Sequence, residues 1–367
     1  METQVIAALA VSDFKQANRL LKEWQSHEPD SLLLRLYVAQ LQERTNRVDA
    51  AEGTYLALLK KMPGSKVMKQ ARAGIARIQA QRSAQREAEK SQALSEAKQV
   101  VGADALSLLT LAPPELAQQK EAIATLSQVF DIDIYSARLK LPSQGIRLYR
   151  TGTYGELSYF AKALKPIPTT VTKVEDIQTL QTFQVCYFET VLPQPTVVCK
   201  NNDGQTGKIS FDWREVKQRV SGQLPIFEQV IDIGHWGRTV HKEKVQDFVQ
   251  VTDLHLPKRK IVLRVCDRVY QYTEGAALGN KSEVNSRIRW NNLTQQLAQA
   301  IKAPHQNKFT RFSKSALEFI TILPTINPNL DIDRRAPSDW DQTFHLYSSI
   351  HYFNLQGASR QGKPYAG

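Results

Sequence analysis

Two short basic stretches hold the side chains best suited to meet another molecule. Lys258-Arg259-Lys260 stands between two strand-like runs and should project from a turn. Lys302 to Lys314 carries Lys302, His305, Lys308, Arg311 and Lys314, interleaved with Phe309 and Phe312 and free of acidic residues. Cations alternating with aromatic rings can meet phosphates, lipid headgroups or an acidic protein face. The competing reading for such short runs is a solvated rim.

Catalytic chemistry is harder to find. Asp203 to Lys208 (DGQTGK) superficially matches a phosphate loop, but its glycines are too close and Ile209 stands where Ser or Thr would hold magnesium. A hairpin tip explains it. Asn327, Asn329, Asp331 and Asp333 alternate like the first oxygen ligands of a calcium loop. Ile332 then replaces the sharp-turn glycine and Ser338 the bidentate glutamate. The seven histidines are dispersed, and His345 and His351 are six apart, which is not one helix face. Cys186, Cys199 and Cys266 lie in strand-like apolar runs and read as buried thiols of a reducing compartment. No metal, cofactor or catalytic set is expected. An enzyme of unrecognised type would have to use residues such as Asp212, Trp213 and His235.

The elements that position these groups follow from composition and periodicity. A chain of 367 residues exceeds one ordinary core and suggests two or three domains. Hydrophobic residues make up 42% and charged residues 23%, a balance that argues for packed domains rather than disorder. There is no apolar run of transmembrane length, and the N-terminus lacks the basic start of a signal peptide. The net charge of +12 is unevenly placed: residues 1–64 hold eight basic and eight acidic side chains, and 65–99 hold eight and three. A basic body favours an acidic protein face, an anionic membrane surface or, less favoured, nucleic acid.

Near the start a pattern recurs after 34 positions: Ala17, Leu21, Trp24 and Pro29 return as Ala51, Tyr55, Leu58 and Pro63. This period resembles the tetratricopeptide repeat, whose helix pairs bury their apolar faces only by stacking. The resemblance implies an all-α head of two such units over 1–80, closed by a capping helix with Val67, Ala71, Ile75 and Ile78. If the head takes a peptide, Leu33, Leu36, Gln40 and Arg44 line its groove, and Glu at 36 and 44 should abolish capture without unfolding. The Lys and Asn that grip C-terminal carboxylates in such repeats are not at these places. Residues 81–104 then form a charged helical linker.

From 105 to 175 the pattern predicts a small α/β domain in the order β-α-α-β-α-β. Its FDIDIYSARLKLPSQGIRLYRTGTYGELSYFAKAL segment resembles the C-terminal domain of the ribosomal stalk protein and the related Clp-protease adaptor fold, which implies a protein-docking role. Tyr135, Arg138 and Lys140 stand where the stalk has a lysine-rich helix, so its partner is not implied. From 180 to 356, runs such as FQVCYF, FVQVTDLHL, Lys260–Val265 and Arg268–Tyr272 read as strands, followed by helices over RWNNLTQQLAQAIK and KSALEFITIL. DWDQTFHLYSSIHYFNL has mixed spacing. This is an α+β domain with a mainly antiparallel sheet, and 357–367 is a flexible tail. The whole resembles a family of cyanobacterial repeat proteins, implying a place in the cytoplasm or at a membrane surface. The expectation is a non-enzymatic adaptor, scaffold or assembly factor that docks partner proteins. The alternative is a nucleic-acid- or ribosome-associated basic protein.

Overall fold

The computed structural model describes residues 1–60, 66–233, 239–276, 285–334 and 338–361, and their side chains except at 229–233, 239–243 and 357–361. The chain forms two compact units, 1–95 and 96–367.

The first unit is helical: α1 (Glu2–Ala10), α2 (Phe14–His27), α3 (Leu32–Arg44), α4 (Val48–Leu59) and α5 (Lys66–Lys98). Asp13 and Ser31 start α2 and α3 by accepting from the backbone N–H groups of Gln16 and Leu34. Ala17, Leu21 and Trp24 on α2, and Ala51, Tyr55 and Leu58 on α4, are all buried. One apolar cluster joins α1, α2 and α3, and a second joins α3, α4 and α5. Gly74 lets α5 lie directly on the Tyr55 ring, where any side chain would collide. A polar clamp reinforces this contact. Tyr55 donates to Glu43 at 2.7 Å, and Arg77 grips the same carboxylate at 2.8 and 2.9 Å. Helix α5 continues unbroken into the expected linker, 81–104, as far as Lys98, its buried residues ending at Ile78. Pro63, the last residue of the second repeat, lies outside the described residues.

The second unit begins with β1 (Leu106–Leu111), α6 (Gln119–Phe130), α7 (Ile134–Lys140), β2 (Arg147–Thr153), α8 (Tyr154–Ala163), β3 (Thr169–Lys173) and α9 (Val174–Thr179). The strands form an antiparallel sheet in the order β2-β1-β3. Leu109 and Leu111 face the cluster of α6, α7 and α8, whereas Leu108 faces a different core. Both faces of β1 are therefore covered, which explains its nearly continuous apolar run.

A seven-stranded sheet follows, from β4 (Gln181–Thr190), β5 (Thr196–Lys200), β6 (Thr206–Ser210), β7 (Gln218–Ile233), β8 (Thr239–Leu256), β9 (Ile261–Cys266) and β10 (His305–Gln306). Its order is β10-β7-β8-β9-β4-β5-β6, with parallel pairing only at β10–β7 and β4–β9. Helix α10 (Ser286–Ala300) packs Trp290, Leu293 and Leu297 on Leu254, Leu263 and Val265. Helices α11 (Phe309–Ile320) and α12 (Asp339–Gln361) pack Phe309, Phe312, Phe344 and Tyr347 against Val249, Val251 and Cys266. Alternate residues of β8 and β9 thus serve opposite faces.

Three expectations need correction. Leu108, Leu148, Val174 and Ile177 share one cluster with α11 and α12, so 105–175 and 180–356 are not separate cores. The segment 268–272 is a turn followed by irregular chain, not a strand, and Tyr270 accepts from the Phe188 N–H. The mixed spacing from Asp339 onward is a single 23-residue helix, because two cores cover it and no polar stripe is needed. That helix runs past Gly357, the expected start of the tail.

Candidate functional site

Helix α11 shows why its charges gather on one side. Phe309, Phe312 and Ala316 are buried, while Arg311 and Lys314, three apart, face outward. Phe309 and Phe312 are therefore core residues, and the expected surface of alternating cations and aromatic rings does not exist. Opposite this face lies the α7–β2 loop. Gly145 adopts φ +66°, and a Cβ there would stand 2.8 Å from the Lys308 Cβ, so the loop abuts the start of α11. Arg147 donates to the Leu139 carbonyl at 3.0 Å, tying β2 to the end of α7.

Between them is a groove of about 480 Å³ lined by Leu139, Leu141, Pro142, Ser143, Gln144, Ile146, Arg147, Arg311, Lys314 and Ser315. No acid is in this lining. Among the described residues Arg311 and Lys314 have no ion-pair partner. Beside the groove, α7 exposes Ile134, Tyr135 and Leu139, an unusual amount of apolar surface for seven residues. Cations and apolar side chains thus meet at one opening.

The other expected basic residues go elsewhere. Arg259 is held by Glu215 through two contacts of 2.7 Å and donates to the Ser210 carbonyl, so it pins the β8–β9 turn. Its neighbours Lys258 and Lys260 are exposed at the tip. Lys302 lies in a shallow opening with Trp213, Arg214 and Lys217, away from the α11 groove lining. Lys308 is exposed at the start of α11, its backbone N–H donating to the Tyr347 hydroxyl.

In the helical unit, Leu36 is fully buried between α3, α4 and α5, so it cannot line a groove. Leu33 is half-buried and packs on both head clusters. Gln40 is half-buried, and Arg44 donates to the Leu9 carbonyl at the end of α1.

One buried cluster has the composition of a catalytic triad and the wrong order. Ser348 donates to Asp253 at 2.5 Å, and His255 Nε2 lies 2.9 Å from the same Ser348 oxygen. The serine proton is committed to aspartate, so His255 donates and is no base for it. Arg264 holds Asp253 at 2.9 and 2.6 Å, with both side chains fully buried. Burial, aided by the Arg264 charge, pushes His255 down to about 3 and keeps it neutral. The cluster is structural.

Asp212 caps the turn at Trp213, and the Trp213 indole donates to the Val191 carbonyl. His235 lies outside the described residues. The calcium-like segment straps the sheet instead: Asn329 donates to the Thr182 carbonyl, and the Asp331 N–H donates to Gln184. Among the described residues no cluster of His, Cys, Asp or Glu is placed to hold a metal ion, and no helix is long and apolar enough to cross a membrane. Cys186, Cys199 and Cys266 are buried free thiols, with burial raising Cys199 to about 11 and Cys266 to about 12.

Sequence reasoning found Arg311 and Lys314 but not Arg147 or Leu139. The groove joins segments far apart in the chain, and local periodicity carries no such pairing. No protein-family model, curated protein or solved structure matches this chain.

Proposed function

We propose that this protein is a non-enzymatic adaptor whose groove between the α7–β2 loop and α11 takes an acidic, partly apolar segment of a partner protein. The observation that carries this reading is the convergence of Arg147, Arg311 and Lys314 on one opening without an acid in its lining. Such a field attracts negative charge and speeds encounter, while the exposed α7 side chains offer apolar contact. The helical head has a repeat period and stacking compatible with tetratricopeptide repeats, and the small three-stranded layer has a strand and helix order compatible with stalk-type or adaptor-type domains. Both likenesses favour protein docking, at the level of fold analogy.

The test is fluorescence anisotropy of the full chain with a labelled peptide of alternating Glu and Leu, against a neutral Gln/Leu peptide and a DNA duplex. The expected result is saturable binding of the acidic peptide that is weakened by Arg311→Glu/Lys314→Glu. Equal binding of both peptides would reject the reading. Duplex binding that falls linearly with log salt and vanishes in the same variant would assign the groove to nucleic acid instead.

A further inference from the structure

A second opening, sharing no lining residue with the α11 groove, lies at the β10 edge of the large sheet. It is a cleft of about 450 Å³ bounded by β7, β8, α10 and the start of α11, a size usual for small-molecule sites. Arg219 is half-buried there, and its Nε is shielded from solvent without a hydrogen-bond partner. No carboxylate is in the lining. A guanidinium partly withdrawn from water, with one N–H unpaired and no counter-charge beside it, is disfavoured, and burial accordingly lowers its pKa. A bound anion would relieve that cost.

The surroundings are rich in groups that orient a ligand. His305 Nε2 lies 2.9 Å from the Ser221 hydroxyl, which lies 3.0 Å from the Thr252 hydroxyl. Partial desolvation, then the nearby Arg219 charge, lowers the pKa of the solvent-accessible His305. Asn291, Gln295 and Asn307 supply amides at the rim, and Leu297 and Phe309 an apolar wall. Amides can donate to or accept from a polar body, whereas Arg219 can only donate to an acceptor.

We infer that this cleft binds a small organic oxyanion, its carboxylate or phosphoryl group on Arg219 and its polar body held by the surrounding amides and hydroxyls. The charge-assisted contact is the discriminating one, since guanidinium pairs with both groups in a fixed fork. This inference is independent of peptide binding in the α11 groove.

Isothermal titration of the full chain at constant ionic strength tests it, using inorganic phosphate, ribose 5-phosphate and succinate as probes. At least one should bind saturably at one site, and the pattern separates a phosphoryl from a carboxylate ligand. Arg219→Gln should weaken that binding about tenfold or more, the usual scale of a lost charge-assisted bond. Asn291→Asp, an exposed and isosteric change that puts negative charge in the cleft, should weaken it too and decides the matter if the Arg219 variant misfolds. Arg311→Glu/Lys314→Glu should leave it unchanged. The inference fails if none of the three probes binds, if binding survives both cleft substitutions, or if the groove variant abolishes it.

Discussion

The β8–β9 turn and helix α11 carry similar basic stretches, and the fold uses them differently. In the turn, Arg259 is consumed by Glu215, which lies 44 positions earlier and is set in place by the cap at Asp212. On α11, Arg311 and Lys314 meet the loop before β2 and Arg147 at the start of that strand, with no acid in the lining. A third cation, Arg264, is consumed in the core by Asp253 together with the Pro328 carbonyl. The charge of a stretch therefore says little about its availability. What matters is whether a distant acid is folded onto it.

Breaking the most deeply consumed cation should have the largest effect. Arg264→Met leaves Asp253 charged, buried and short of its fork, and should destabilise the chain by about 3–5 kcal/mol in chemical denaturation. Adding Asp253→Leu should recover part of the loss, and an unaltered midpoint in the single variant would show the pair to be dispensable.

Acid should act on the same core. Burial pushes His255, His345 and His351 to about 3 from an ordinary 6.5, so the unfolded chain takes up protons first as pH falls below 6.5. Their contribution to stability is full above 6.5 and lost progressively toward 3. Burial raises Asp267 and Asp341 to about 6 from 3.8, and these add stability as pH falls from 6 to 3.8. The histidines act over the wider window and are more numerous, so denaturation midpoints at pH 4.5 should lie below those at pH 7. Equal midpoints would mean that the imidazoles are hydrated.

The contrast extends to apolar residues of the head. Leu36→Ala should cost about 2–5 kcal/mol through a cavity between α3, α4 and α5, and Leu36→Glu should unfold the head rather than test a groove. Gln40→Ala, at a half-buried surface position, should change stability by no more than about 0.5 kcal/mol. Arg259→Ala should cost at most about 1 kcal/mol, because its ion pair is solvent-accessible and screened. A larger loss would mean that the turn nucleates the sheet.

Much of this architecture was legible because its causes are local. The 34-residue period marked α2 and α4, Asp13 and Ser31 marked helix starts, and Asn201 to Gly204 marked the β5–β6 turn, where Asn201 accepts from Asp203 and Gln205. The core that 105–175 shares with α11 and α12 was not legible. Leu108 and Leu109 look alike in sequence yet serve different clusters, and only long-range packing assigns them. The groove failed for the same reason: Arg311 and Lys314 stood out only as part of an aromatic-interleaved basic run, while Arg147 read as part of a strand. Of the polar cleft, only the edge with His305 and Phe309 lay in a stretch the sequence marks; most of its amides and hydroxyls and the half-buried Arg219 come from distant segments that look like ordinary surface.

The most direct measurement is the affinity of the acidic Glu/Leu peptide for three proteins: the unaltered chain, Arg311→Glu/Lys314→Glu, and Lys258→Glu/Lys260→Glu. All three should fold with similar stability, since each substitution is exposed. Binding should fall about tenfold or more in the α11 variant and by less than about threefold in the turn variant, where only long-range, screened charge is altered. Equal losses in both would mean that the peptide senses net charge alone, and would contradict the assignment of the groove as the docking site.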